Sequence, residues 1–240
     1  MVRTELSLRR TNALRSTVAH KAAMAITGVI MVLFLLAHMY GNLKAFSGEA
    51  AFDGYSEHLR ELGEPILPRG GALWIIRVVL VASVLIHIYA AVTLWHRART
   101  SSVRHGAKRY ESTKNRRGVQ RSYASFTLRW GGVVIALFIV YHLLHLSADN
   151  VIHPGGASAS PYERLVNGFQ IWWVVLSYAI AMLALGFHLR HGIWSACATL
   201  GANTSVVRRR RLNQMAIVIA TVITVGFLVP PFAILFGWVS

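Results

Sequence analysis

Residues 185–201 read LGFHLRHGIWSACATLG. Two histidines, His188 and His191, lie there in a run apolar enough to sit in a bilayer. An imidazole nitrogen is costly to bury in hydrocarbon unless a partner satisfies it. Outward from this stretch the apolar run covers about 170–198, and four similar runs occupy 22–46, 73–95, 127–146 and 212–238. About 20 residues rising 1.5 Å each cross a hydrocarbon core of roughly 30 Å. The expected fold is all-α, an integral membrane bundle of five transmembrane helices. The chain has 240 residues, 55% of them hydrophobic, and a mean hydropathy of +0.48. The spans consume most of it, so 1–240 reads as a single membrane domain with no room for a soluble catalytic unit.

The 25 basic residues outnumber the 9 acidic ones, for a net charge of +16. They gather before the first span, between the second and third (97–121) and before the fifth (208–211). The alternate loops are acidic or sparse: Glu49, Asp53, Glu57, Glu61 and Glu64 face only Arg60 and Arg69, and Arg164 stands alone in 147–169. This positive-inside pattern puts the N-terminus inside and the C-terminus outside. Topology and anionic headgroups account for the arginine runs better than nucleic acid does. Cys197 is the single cysteine, which excludes an internal disulfide and an iron–sulfur cluster held by this chain alone. The first apolar run is too long for a secretory signal, lacks a clear cleavage site and contains His38.

Four histidines lie deep in four different spans: His38, His87, His142 and His188. With the expected orientation, His38 and His142 fall in the outer half of spans one and three. His87 and His188 fall at or inside the midplane of spans two and four. Depth therefore pairs His38 with His142 and His87 with His188. Two imidazoles on facing helices can hold one haem iron from both sides, an arrangement suited to electron transfer. The rival readings are hydrogen-bonded structural histidines and a haem-free proton relay, the latter weakened because no span contains Asp or Glu. Spans one and three also share a pattern, since Gly28 and His38 are separated as Gly132 and His142 are. That favours His142 over His145 as a ligand and places His145 near the outer end. The Thr27-Gly28 pair leaves space for a flat cofactor or a neighbouring helix.

Between the spans, 1–21 reads as a surface helix, 52–62 as an amphipathic outer helix and 147–169 as irregular. The fifth span, without histidine and with a Pro230-Pro231 kink, reads as scaffold. His96 and His105 in the long inner loop are assigned no ligand role. Arg77, just inside the outer interface, suits headgroups or a haem propionate equally. Arg190, toward the inner edge, is a second propionate candidate.

The segments TG…FLLAHMYGNL, WGG…FIVYHLLHL and FHLRHGIWSACATLG resemble the cytochrome b membrane anchor of succinate:quinone oxidoreductases and fumarate reductases. The likeness is to the single-polypeptide, five-helix, dihaem form and covers essentially the whole chain. It implies two haem b groups, a distal one on His38 and His142 and a proximal one on His87 and His188. It also implies a flavoprotein and an iron–sulfur protein docked on the inner face of a bacterial plasma membrane, partly on the basic loops. Electrons would pass to a quinone, often menaquinone. Some members carry a glutamate two residues before the fourth-span ligand, where this chain has Gly186. His191 offers an alternative ligand, although three residues on it lies about 100° away from His188 around the helix.

For the quinone the outer loop supplies Tyr55, Glu57, Glu61 and Glu64, with Arg77 and His145 at the rim; an inner site beside the iron–sulfur protein is the alternative. Two other readings remain: a haem anchor for another quinone-linked oxidoreductase, and a haem-free structural anchor or transporter. Higher-order oligomers of the complex are also compatible with the sequence.

Overall fold

The computed structural model describes residues 16–103, 118–146 and 152–240, with side chains for all of these except 99–103 and 118–126. The expected surface helix at 1–21 and the inner loop with His105 therefore lie largely outside the described residues. Among the described residues the order is α1 (Thr17–Leu43), a 3-10 turn (Lys44–Ser47), α2 (Glu49–Glu61), α3 (Gly71–Val103), α4 (Gly118–Leu146), α5 (Pro161–Phe169), α6 (Trp172–Thr199) and α7 (Val206–Leu235). No strand occurs among them.

Five helical segments are long and apolar enough to span: Thr17–Ser47, Gly71–Ala98, Thr127–Leu146, Trp172–Thr199 and Val206–Leu235. The chain is a multi-pass membrane protein. The fifth segment begins before position 212 because the Ser205 hydroxyl accepts from the Arg208 N–H at 3.2 Å. This N-cap extends the helix through the arginine run into water. Pro230 and Pro231 lie buried within the last turns of α7.

Apolar residues cover the bundle all round, Leu33, Leu85, Leu137 and Val218 being more than half exposed. That is the surface lipid demands. The bundle is assembled as two antiparallel pairs, α1 with α3 and α4 with α6, joined where α6 packs on α1 and α7. Close approach depends on small residues. A Cβ on Gly186 would lie 2.5 Å from Thr224 Oγ1 on α7.

The end of the bundle bearing α2 and α5 is its capped end. The loop 147–169, expected to be irregular, contains α5 instead. Its signal is Ser160-Pro161-Tyr162-Glu163, a capping residue followed by a first-turn proline and an acid. The Ser160 hydroxyl accepts from the Glu163 N–H at 3.1 Å. Asp53 on α2 then accepts from the Ser160 hydroxyl at 2.6 Å and the Tyr162 N–H at 2.9 Å, latching the two capping helices. Asp53→Ala should cost about 1–3 kcal/mol, the range for a charged hydrogen-bond acceptor. Limited proteolysis near 152–160 should accelerate; an unchanged rate and melting temperature would show that the latch contributes nothing.

Candidate functional site

Each histidine pair joins one helix of the first antiparallel pair to one of the second, His38 on α1 with His142 on α4 and His87 on α3 with His188 on α6. The His38 and His142 ring centres are 5.8 Å apart, at an interplanar angle of 81°. Those of His87 and His188 are 6.3 Å apart, at 57°. A metal–imidazole bond is about 2 Å, so two imidazoles facing one iron hold their ring centres roughly 6 Å apart. Both spacings fit one bis-histidine iron.

The two pairs are linked by a repeated feature. A Cβ on Gly28 of α1 would lie 3.7 Å from His87 Cε1, and one on Gly132 of α4 would lie 3.7 Å from His188 Cε1. Each glycine thus faces the histidine of its partner helix. Its own helix carries the other pair's histidine ten residues on, about 15 Å along the axis. The two histidine pairs are therefore stacked along the bundle, His38 and His142 toward the capped end.

Hydrogen bonding constrains the His87 ring. Thr27 donates its hydroxyl proton to the Ala23 carbonyl at 2.8 Å. His87 Nδ1, 3.1 Å from that hydroxyl, can then only donate to it. The proton is fixed on Nδ1 and the Nε2 lone pair is left for a ligand bond. His188 Nδ1 is buried without a well-formed hydrogen bond, the backbone of Leu128 being the polar neighbour of its ring. Phe34 stacks on His38 at 5.2 Å and Phe138 on His142 at 5.7 Å, walling the other pair.

The remaining candidates separate. His191 Nδ1 bonds back to the Phe187 carbonyl at 3.0 Å, on its own helix. Arg77 is exposed, its guanidinium 5.1 Å over Trp74, and Arg190 is exposed as well. Tyr55 packs on Gly41 and edge-on to Tyr40. Glu57 is ion-paired to Arg60 at 3.1 Å and to Arg69, whereas Glu61 and Glu64 are exposed. His145, expected at the rim, is instead fully buried beneath α5. There Gly168 has no Cβ to collide with its ring.

Several residues near the capped end were not singled out in the sequence. Tyr178 on α6 lies 3.2 Å from His142 Nδ1 and 2.9 Å from His145 Nδ1 through its hydroxyl. Its signal was a tyrosine inside an apolar span, since a buried hydroxyl requires a partner. His153 lies against His145, ring centres 5.6 Å apart. Burial first and the Arg164 guanidinium second hold His153 below the ordinary imidazole range. Arg164 is itself buried and donates to the Ser158 carbonyl at 2.7 Å. No sequence spacing announces these last two, because the loop alone joins them to the bundle.

No curated protein and no solved structure matches the chain. Residues 109–228, half of the sequence, match the family model of the succinate dehydrogenase/fumarate reductase transmembrane subunit. With five apolar helices and paired intramembrane histidines already in place, that match shows that the chain belongs to the succinate dehydrogenase/fumarate reductase transmembrane subunit family.

Proposed function

We propose that this membrane anchor carries electrons from an iron–sulfur partner to a membrane quinone through two bis-histidine haems b, on His87/His188 and His38/His142. The single observation that carries this reading is the spacing of both ring pairs, 6.3 Å between α3 and α6 and 5.8 Å between α1 and α4. Bound there, each haem would supply a one-electron carrier with no open coordination position. The protein's part is to orient the rings and exclude water: Thr27 sets the His87 tautomer, and aromatic side chains close the second pair. In the proposed orientation the N-terminus is inside, the C-terminus outside, and the capped end faces outward across a bacterial plasma membrane. The flavoprotein and iron–sulfur partners then dock on the arginine-rich inner end.

A reduced-minus-oxidised spectrum with haem quantification on the purified complex tests this directly. Two haems per chain are expected; one or none would overturn the dihaem reading. Neutralising two or three arginines among 208–211 should release the iron–sulfur partner at moderate salt, because interfacial charge pairs weaken with screening. Retention of the partner with only the membrane orientation disturbed would leave these arginines a purely topological role.

Menaquinone is the proposed acceptor, bound near the capped end. With Glu57 held by two arginines, the exposed Glu61 and Glu64 are the favoured proton entry points. Glu61→Gln or Glu64→Gln should slow quinone-coupled turnover while succinate oxidation by an artificial acceptor continues. Full quinone activity in both, and in Glu57→Gln, would exclude acidic proton delivery through this loop.

A further inference from the structure

The Tyr178 hydroxyl reaches both a proposed ligand and a second buried histidine. Its hydroxyl sits 3.2 Å from His142 Nδ1 and 2.9 Å from His145 Nδ1. A hydroxyl has one proton to donate and lone pairs to accept with. It can donate to only one of the two rings, so a complete network requires the other ring to donate to it. If His142 ligates through Nε2, its Nδ1 carries the proton, and His145 Nδ1 is then the acceptor of the Tyr178 proton. His142 then donates from Nδ1, and its Nε2 is left with a free lone pair.

The surroundings keep this arrangement in place. Phe138 and Phe169 meet the Tyr178 ring edge-on, each at 4.8 Å, which fixes the direction of the hydroxyl. His145 has no exposed surface, and a Cβ on Gly168 would lie 2.6 Å from its Nε2. The glycine of α5 therefore lets the cap close onto His145. His145 in turn presents Nδ1 to Tyr178.

We infer that Tyr178 is a positioning residue for the capped-end haem: it fixes His142 as the Nδ1–H tautomer and raises the basicity of its Nε2, with His145 holding the tyrosine proton. The inference rests on the proposed ligation of His38 and His142. A ligating histidine that donates its other N–H to an oxygen is a stronger electron donor and favours the oxidised metal. Removing the acceptor should therefore make that haem easier to reduce.

Potentiometric titration of the purified complex, with each haem followed by its own absorption band, tests this. Tyr178→Phe should keep both haems and raise the reduction equilibrium constant of the capped-end haem roughly threefold to tenfold, as expected for loss of one hydrogen bond. Tenfold is 59 mV for one electron. The His87/His188 haem should be unmoved. His145→Leu removes the acceptor of the Tyr178 proton and so favours its donation to His142 Nδ1, the wrong tautomer for ligation through Nε2. That variant should lose capped-end haem, and adding Tyr178→Phe should restore it. An unchanged potential in Tyr178→Phe, an equal shift of both haems, or failure of the double variant to recover haem would each overturn the inference. If His142→Ala keeps both haems, the ligation itself is wrong, an outcome readable separately from these.

Discussion

His188→Ala and His87→Ala are each expected to abolish the same haem and leave the other detectable. The two rings lie 6.3 Å apart on α6 and α3, at the pair farther from the cap. Loss of one imidazole removes half of the axial ligation, so the affected haem should fall to a small fraction of its normal occupancy. His38→Ala and His142→Ala should act together on the second haem. His191→Ala should retain both, because its ring is turned to the Phe187 carbonyl. Haem quantification with low-temperature difference spectra separates the outcomes. If His87→Ala and His188→Ala remove different haems, the pairing is wrong; if His191→Ala empties the site farther from the cap, the ligand is His191.

The second large effect concerns Gly186, where some members of the family carry glutamate. The contact between α6 and α7 leaves no room for a side chain there, since a Cβ would approach Thr224 Oγ1 to 2.5 Å. Thr224 is β-branched and its hydroxyl donates to the Ala220 carbonyl at 2.7 Å, so it has little freedom to yield. Gly186→Ala should cost about 1–3 kcal/mol by overpacking. Gly186→Glu should prevent stable accumulation in the membrane, adding a buried carboxylate to the clash. Thr224→Ala removes Oγ1 and Cγ2 and leaves Cβ at an ordinary 3.5 Å, so it should rescue Gly186→Ala. Thermal denaturation of the detergent-solubilised complex would show the rescue as a positive coupling between the two sites. Additive losses would mean that the helices separate freely here. A transmembrane proton path through a carboxylate at position 186 is incompatible with this packing.

Much of the architecture was determined by the sequence alone. Hydropathy over about 20 residues specifies a spanning helix almost without regard to neighbours, because every backbone polar group in lipid must be satisfied within its own segment. Charge placement likewise sets an expected orientation without reference to any contact. The depth of a histidine in its span is a matter of counting at 1.5 Å per residue. Thus His38, His87, His142 and His188 were candidates before any helix was packed. Their approach in two pairs required the tertiary structure, since rotation about each helix axis is set by small-residue contacts such as Gly28 against His87 and Gly132 against His188.

The capped end was decided by tertiary structure almost entirely. Ser160-Pro161-Tyr162-Glu163 carries a helix-start signal, but a nine-residue helix is marginal alone and holds here through packing and the Asp53 latch. Because α5 forms, His145 lies under it instead of at a headgroup, and Tyr178 is placed between His145 and His142. Local pattern specifies which segments enter the membrane, since lipid solvates each one separately. Which side chains meet depends on contacts between residues far apart in the chain, such as Asp53 with Ser160 and His142 with Tyr178, and no sequence period records those.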